Sequence, residues 1–173
     1  HRPFIKQVDQ IPARPLIGKE VQALPYMGIN HPELRQQTAD YYNCMMRLDT
    51  YIGQLLAVLE QSGRARDTVV VYIGDHGADM LRGKRTSYEG GLKVPLLIAG
   101  PGVTPAVRQD LVSGVDLSAT VLAMTGVAKP EQMESRDLFA PSYARPFVVS
   151  ARDRCDYTID RIRAVVSKRF RYI

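Results

Sequence analysis

The sequence predicts an α/β fold in which part of a layered α/β sheet is followed by a small antiparallel β subdomain. A long amphipathic run predicts a helix that packs against a sheet. Two short apolar runs without polar alternation are typical of strands that are covered on both faces. The carboxyl-terminal segment alternates instead between apolar and charged residues, which is typical of half-exposed antiparallel strands.

The long helix is the clearest single element. Residues 1–29, which precede it, are rich in proline and lack periodicity, so they predict an extended surface segment. Asn30 is the expected N-cap, and Gly63 is the expected residue just beyond the last turn. Between Asn30 and Gly63, the residues expected on one face of the helix recur at steps of three and four: Leu34, Thr38, Tyr41, Met45, Leu48, Ile52, Leu55 and Leu59. This face, about seven turns long, must be buried.

Two strands and a short helix are predicted next. Residues 68–73 and 96–99 are apolar runs that indicate buried strands of the parallel-sheet type. Asp116 is the expected cap of a helix over 117–125, which Gly126 ends. Two strands cannot cover so long an amphipathic helix. We therefore expect further strands in a preceding segment of polypeptide.

A small antiparallel sheet is predicted at the carboxyl-terminal end. Its strands are expected over 147–150, 162–166 and 169–173, because basic and apolar residues alternate there. Ser167 and Lys168 are the expected hairpin turn between the last two strands.

Composition and charge exclude several classes of protein. The hydrophobic fraction of 45% and the charged fraction of 24% are those of a globular protein, which excludes disordered and collagen-like chains. No apolar run approaches the roughly 20 residues of a membrane span, so we expect no membrane partner. Residues 145–173 hold eight Lys or Arg against three Asp, whereas 1–144 hold fifteen of each charge. Because these cations alternate with apolar residues, a solvated strand face is favoured, and an anion-binding face remains the alternative. Nucleic acid is not expected as a partner, since aromatic platforms and recognition motifs are lacking.

The residues with the clearest chemistry follow the first strand. Asp75 and His76 come directly after it, flanked by Gly74 and Gly77. An acid and an imidazole at the carboxyl end of a strand suit metal ligation or acid–base chemistry, although such a run by itself is more often a turn. The glycine-rich stretch 83–91 then contains Lys84, a cation placed to meet an anionic group.

Four motifs carry a resemblance to a known family. They are L-D-x-x-I-G-x-L-L-x-x-L over 48–59, D-T-V-V-V-Y-I-G-D-H-G over 67–77, G-K-R-T-S-Y-E-G-G-L-K-V-P-L-L-I-A-G-P-G over 83–102 and V-D-L-S-A-T-V-L-A-M-T-G over 115–126. Together they resemble the sulfatase family of the alkaline-phosphatase superfamily, most clearly over residues 30–130. Residues 151–165 resemble the carboxyl-terminal part of bacterial glycan sulfatases and of N-sulfoglucosamine sulfohydrolase relatives.

The resemblance implies an alkaline-phosphatase-like α/β fold. Residues 1–140 would then be the carboxyl-terminal part of the catalytic domain, and 141–173 the start of a small antiparallel subdomain. It also implies hydrolysis of a sulfate ester, or of an N-sulfate, on a sugar or glycosaminoglycan-type substrate. A periplasmic or secreted location is the family's expectation.

The resemblance assigns roles to four residues of this chain. Asp75 and His76 match the pair that ligates the active-site divalent cation, usually Ca²⁺. Lys84 matches the lysine that contacts the sulfate oxygens. His1, in His1-Arg2-Pro3-Phe4, matches the histidine that binds sulfate and protonates the leaving oxygen. His1 and Lys84 are thus the expected catalytic and sulfate-binding residues.

The chain also departs from the family's pattern. The nucleophile motif C-x-(P/A)-S-x-R, whose cysteine becomes formylglycine, does not occur, and neither Cys44 nor Cys155 fits it. The family's Asp-Asp metal ligands are also missing. We expect the formylglycine in a preceding segment of the same protein, and we expect these 173 residues alone to be inactive.

Two alternatives remain open at this stage. The imidazole of His76 is a softer ligand than Ca²⁺ prefers. The first alternative is therefore a phosphodiesterase or phosphonate monoester hydrolase that uses Mn²⁺ or Zn²⁺. The missing nucleophile motif also leaves room for a catalytically silent fragment or interaction module.

Overall fold

The computed structural model describes residues 10–155 and 157–173. The chain forms two compact units that divide between Pro105 and Ala106. The main elements of the first unit are α1 (Pro32–Gln61), β1 (Val70–Ile73), α2 (Glu89–Leu92) and β2 (Leu96–Ala99), and three short 3-10 helices lie at Gly18–Glu20, Pro25–Met27 and Ala65–Asp67. The second unit contains α3 (Asp116–Met124), β3 (Phe147–Cys155), β4 (Thr158–Ser167) and β5 (Arg171–Tyr172). The predicted mixed α/β fold with a carboxyl-terminal antiparallel sheet is confirmed, and the domain boundary near residue 140 stays a prediction.

Helix α1 begins one residue later than its predicted cap implies. His31, not Asn30, is the N-cap, because Pro32 occupies the first helical position and His31 Nδ1 accepts a hydrogen bond from the Glu33 amide at 3.4 Å. Asn30 instead accepts a hydrogen bond from the Ala23 amide at 3.0 Å. The predicted end is confirmed, since Gly63 follows the last turn with a φ of 71°.

The apolar face of α1 is only partly covered by the described residues. Thr38, Ala39 and Asn43 are buried near the amino-terminal half, where Asn43 exchanges two hydrogen bonds with the Leu16 backbone at 2.8 and 2.9 Å. In the carboxyl-terminal half, by contrast, Leu55 is 68% exposed. This exposure agrees with the prediction that two strands cannot cover so long a helix. Burial of the whole face by further strands stays a prediction.

Strands β1 and β2 pair with each other in antiparallel register, from Val70 opposite Ala99 to Ile73 opposite Leu96. The prediction of fully buried strands of the parallel type is wrong. The loop between them returns the chain directly to its neighbour, which requires no crossover. Both strands are half-buried at most, and Leu97 is 59% exposed.

The carboxyl-terminal sheet has the order β3-β4-β5 and is antiparallel throughout, as predicted. Strand β3 is longer than predicted and contains a register irregularity between Arg152 and Arg154. The predicted turn is confirmed at Ser167, whose hydroxyl accepts a hydrogen bond from the Phe170 amide at 3.0 Å. Ala164, which is 1% exposed, marks the buried face of β4.

A buried ionic cluster organises the second unit around the start of α3. Asp116 is the first residue of this helix rather than its N-cap, and its carboxylate is fully buried. It accepts hydrogen bonds from Arg145 Nε at 2.6 Å, Arg145 Nη2 at 2.5 Å, Tyr143 Oη at 2.9 Å and the Arg136 amide at 2.9 Å. The cluster thus ties α3 to the segment that leads into β3.

We expect this cluster to make the stability of the protein depend on pH. Burial raises the pKa of Asp116, but hydrogen bonds from Arg145, Arg136, Tyr143 and Ser113 outweigh it, and the pKa lies below its usual value. Burial and the Asp116 hydrogen bond raise the pKa of Tyr143 to about 12, so the phenol donates throughout the neutral range. The Asp116 contribution is therefore complete above the unfolded carboxyl pKa of about 4 and is lost as the pH falls through the lower folded pKa.

The test is urea unfolding of the protein and of Asp116→Asn. At pH 7 the variant should lose about 3 kcal/mol of unfolding free energy, because the Arg145 guanidinium is left without its anionic partner. On acidification the difference between the two proteins should shrink. A difference that stays constant down to about pH 2 would contradict the ionic role of Asp116.

In the described part of the chain, no helix is both long and apolar enough to cross a membrane.

Candidate active site

Asp75 and His76 lie at the end of β1, at the start of the loop over 74–95. The Gly74 amide donates to the Pro95 carbonyl at 3.1 Å, so the loop closes beside the end of the sheet. The Asp75 side chain is 87% exposed and that of His76 is 40% exposed. Both groups are therefore open to a ligand.

The imidazole and the carboxylate face each other. His76 Nε2 lies 3.4 Å from Asp75 Oδ2, and His76 Nδ1 lies 2.8 Å from the Gly77 carbonyl oxygen. A carbonyl oxygen only accepts hydrogen bonds, so in the neutral ring Nδ1 carries the proton and Nε2 carries the lone pair. The lone-pair nitrogen and the carboxylate oxygen therefore lie close enough together to contact one ligand.

This pair fits two ligands of a divalent cation. Ligands of Ca²⁺ lie at about 2.4 Å, and two of them at a right angle are about 3.4 Å apart, as the two atoms are here. The Nδ1 hydrogen bond to Gly77 is the kind of contact that orients ligating histidines. No group of three His, Cys, Asp or Glu side chains suited to a metal occurs among residues 10–155 and 157–173. Within these residues, Asp75 and His76 therefore have no third such side chain beside them, and their binding of a metal stays a prediction.

Glycines allow the loop to pack backbone against backbone. The Gly77 amide donates to the Gly91 carbonyl at 3.1 Å, and a Cβ on Gly77 would lie 1.6 Å from the Gly90 carbonyl oxygen. A Cβ on Gly83 would lie 2.0 Å from the Ala78 oxygen. Since such distances leave no room for any side chain, the path of the loop depends on these residues being glycine.

The same packing brings the backbone of Lys84 towards the Asp75–His76 pair. The Lys84 amide donates to the Ala78 carbonyl at 2.8 Å. Ala78 is three residues beyond Asp75, so the Cα atoms of Ala78 and Asp75 are at most about 11 Å apart. The Lys84 side chain is exposed. That Lys84 and Asp75 meet on one ligand stays a prediction.

The remaining predicted site residue, His1, lies outside the described residues, and its role stays a prediction. The structure also shows an unusual backbone conformation at Arg82, which no sequence pattern indicates. Its backbone is left-handed at a φ of 58°, an unfavourable conformation for a residue with a side chain and one that occurs often at functional sites. The Arg82 carbonyl accepts a hydrogen bond from Thr86 Oγ1 at 3.0 Å. This bond closes the turn over residues 82–86, which contains Lys84.

A second charged pair, also missed from the sequence, lies within the loop. Arg85 Nε is 3.6 Å from Asp79 Oδ1, and both side chains are partly exposed. Spacing alone gives no signal for this pair, because the loop folds back through glycine contacts and not through a regular element.

The fold resembles that of a solved structure described as a complex with its substrate D-glucosamine-2-N,6-O-disulfate. The TM-score is 0.61 at 22% sequence identity, over 80% of this chain and 32% of that chain. This chain therefore shares the mixed α/β fold of that structure over the matched part.

Sequence comparisons identify the family. The sulfatase family model matches residues 5–127, so this chain belongs to the sulfatase family. It is 36% identical to an ulvan-active sulfatase of Formosa agariphila, over 76% of this chain and 23% of that protein. It is 32% identical, over 54% of this chain and 14% of that protein, to a Caenorhabditis elegans protein named as an extracellular sulfatase Sulf-1 homolog. The chain thus spans a quarter or less of the length of these relatives.

Proposed function

We propose that this chain provides the metal and sulfate side of a sulfatase active site. The substrate class is a sulfate ester, or an N-sulfate, of a sugar or a glycosaminoglycan-type chain. The observation that carries the proposal is the pair of facing donors, His76 Nε2 and Asp75 Oδ2 at 3.4 Å, in one loop with Lys84. Membership of the sulfatase family supports it.

Asp75 and His76 would hold a divalent cation, for which Ca²⁺ is the proposed metal. Such a cation supplies positive charge that polarises an oxygen of the sulfate group. Lys84 would bind the other sulfate oxygens with its ammonium, which would place a positive charge on them. Because the loop backbone is packed through glycines, these groups need little reorganisation when the substrate binds.

Two further parts of the reaction are proposed for residues outside the described site. His1 would bind sulfate and give its proton to the leaving oxygen. The nucleophile would be a formylglycine from a preceding polypeptide of the same protein, which would also supply the remaining metal ligands. The greater length of the relatives supports this division of the site. A periplasmic or secreted location is proposed with it, and the name of the nematode relative supports that location.

One observation favours a second candidate function. A nitrogen ligand at His76 suits Mn²⁺ or Zn²⁺ better than Ca²⁺, and these metals would suit a phosphodiesterase or phosphonate monoester hydrolase of the same superfamily.

The experiment compares substrates and metals on the complete protein that contains this chain. After treatment with EDTA, it is assayed with 4-methylumbelliferyl sulfate and with bis(4-nitrophenyl) phosphate, in the presence of Ca²⁺, Mn²⁺ or Zn²⁺. We expect EDTA to abolish sulfate hydrolysis and Ca²⁺ to restore it, because the cation neutralises charge at the sulfate. Faster hydrolysis of the phosphodiester with Mn²⁺ or Zn²⁺ would establish the second candidate in place of the first.

A further inference from the structure

A short turn over 25–28 packs against the loop over 74–95. It is a single 3-10 turn, closed by a hydrogen bond from the Gly28 amide to the Pro25 carbonyl at 3.1 Å, and Gly28 ends it in the left-handed region at a φ of 74°. Met27 is 1% exposed, so burial anchors the turn in the first unit. The proposed reaction assigns no role to this turn.

The first contact between the turn and the loop is made by the Tyr26 ring. A Cβ on Gly90 would lie 2.6 Å from Cδ2 and from Cε2 of Tyr26, so the ring lies directly against the glycine backbone. Burial raises the pKa of the Tyr26 hydroxyl, and the nearby Tyr41 and Tyr42 of α1 raise it further. Tyr26 therefore lies beside the long helix as well as against the loop.

The second contact is made by the Arg82 side chain. A Cβ on Gly28 would lie 2.9 Å from Arg82 Nη1, so the guanidinium covers the turn at a residue that has no side chain. The left-handed backbone of Arg82 is unfavourable for arginine and persists only where its surroundings hold it. A Cβ on Gly90 would also lie 2.8 Å from the Arg82 carbonyl oxygen. The two contacts therefore fall on neighbouring stretches of the loop backbone.

These contacts fall on both sides of Lys84 in the sequence. Arg82 precedes Lys84 by two residues, and Gly90 follows it by six. Between them, Thr86 Oγ1 donates to the carbonyls of Arg82 at 3.0 Å and Gly83 at 2.9 Å. Movement of the turn away from the loop would therefore release the backbone that carries Lys84.

We propose that the turn over 25–28 positions Lys84 for catalysis, with Tyr26 and Arg82 as the positioning residues. The inference rests on the proposed function, which assigns Lys84 to the sulfate. A cation stabilises a transition state best when it is held at the right distance, and a displacement of about 1 Å can cost about 10²-fold in rate. Since the lysine side chain is long and flexible, the protein fixes its position chiefly through the backbone.

The first experiment measures hydrogen–deuterium exchange of the loop amides in the complete protein and does not depend on activity. The Lys84 amide donates to the Ala78 carbonyl, so its exchange reports how often the loop opens. We expect Tyr26→Ala to speed this exchange about 10-fold. Tyr26→Phe should leave it within about twofold, because phenylalanine keeps the ring carbons that contact Gly90.

Two further variants complete this measurement. Arg82→Asn should also speed the exchange of the Lys84 amide, because asparagine tolerates the left-handed backbone but lacks the guanidinium. Tyr157→Ala is the matched control, since it removes a tyrosine that is 95% exposed and lies in the second unit, and it should leave the exchange unchanged. The amides of α1 in the same samples show whether the rest of the first unit stays folded.

The second experiment is a double-mutant cycle on the hydrolysis of 4-methylumbelliferyl sulfate. Tyr26→Ala should lower kcat/KM by about 10- to 100-fold when Lys84 is present. In a Lys84→Ala background it should lower kcat/KM less than about twofold, because a lysine that is absent cannot be misplaced. A general loss of folded protein would instead lower both backgrounds equally.

Unchanged exchange in Tyr26→Ala, or an equal loss of kcat/KM in both backgrounds, would overturn the inference. A complete protein that hydrolyses no sulfate ester would refute the proposed function. In that case, the exchange of the Lys84 amide would decide alone whether the turn holds the loop in place.

Discussion

Replacing Lys84 with alanine should lower kcat/KM for a sulfate ester by about 10²- to 10³-fold in the complete protein. The reason is electrostatic. In the proposed site, the Lys84 ammonium would lie against the sulfate oxygens and would stabilise the negative charge of the transition state. Lys84 is exposed, and its backbone is anchored by the hydrogen bond of its amide to Ala78 at 2.8 Å, so the substitution should not disturb the loop.

The matched control is Lys19→Ala, which removes an exposed lysine of the same unit from a 3-10 helix. It should leave kcat/KM within about twofold, because Lys19 lies outside the loop over 74–95 and its exposed charge is screened by solvent and salt. Lys84→Arg should retain part of the activity, since the charge is kept while its position changes. If Lys84→Ala and Lys19→Ala had the same activity, Lys84 would have no role at the sulfate.

Replacing Gly77 with alanine should cost at least about 3 kcal/mol of unfolding free energy, as expected when an atom is forced into packed backbone. The added Cβ would lie 1.6 Å from the Gly90 carbonyl oxygen, and Gly90 is itself packed against the Tyr26 ring. The loop cannot keep its path, so the hydrogen bond from the Gly77 amide to Gly91 should be lost as well. Urea unfolding of the purified protein measures the effect.

Gly53→Ala is the matched control for this substitution. Gly53 lies within α1, and a Cβ there has nothing within 4 Å. Alanine should therefore stabilise the protein by up to about 1 kcal/mol through its higher helix propensity. A Gly77→Ala protein as stable as the wild type would show that the close approach to Gly90 does not exist in solution.

Local signals predicted the individual elements of the fold well. The spacing of apolar residues and Gly63 were enough for α1 and its end, and the alternation of charges was enough for the carboxyl-terminal sheet. The direction of β1 and β2 was not accessible in this way, because an apolar run has the same pattern in a parallel or an antiparallel pair. Coverage of the carboxyl-terminal half of α1 depends on contacts with other elements. The periodicity of the helix sequence contains no information about those contacts.

The candidate site shows the same division. The sequence places Asp75 next to His76, but it says nothing about the Gly77 carbonyl that sets which imidazole nitrogen carries the proton. Nor does it reveal that the glycines pack backbone against backbone and bring Lys84 to Ala78. The predicted helix cap Asp116 shows this most clearly, since its carboxylate pairs with Arg145, which lies 29 residues further along the chain.

A crystal structure of the complete protein with Ca²⁺ and sulfate would measure the distance from the Lys84 ammonium to the Asp75 carboxylate. With one anion held between the lysine and a cation on Asp75 and His76, this distance should be no more than about 8 Å. A separation beyond about 12 Å, with the two groups on opposite sides of the loop, would contradict a shared sulfate site.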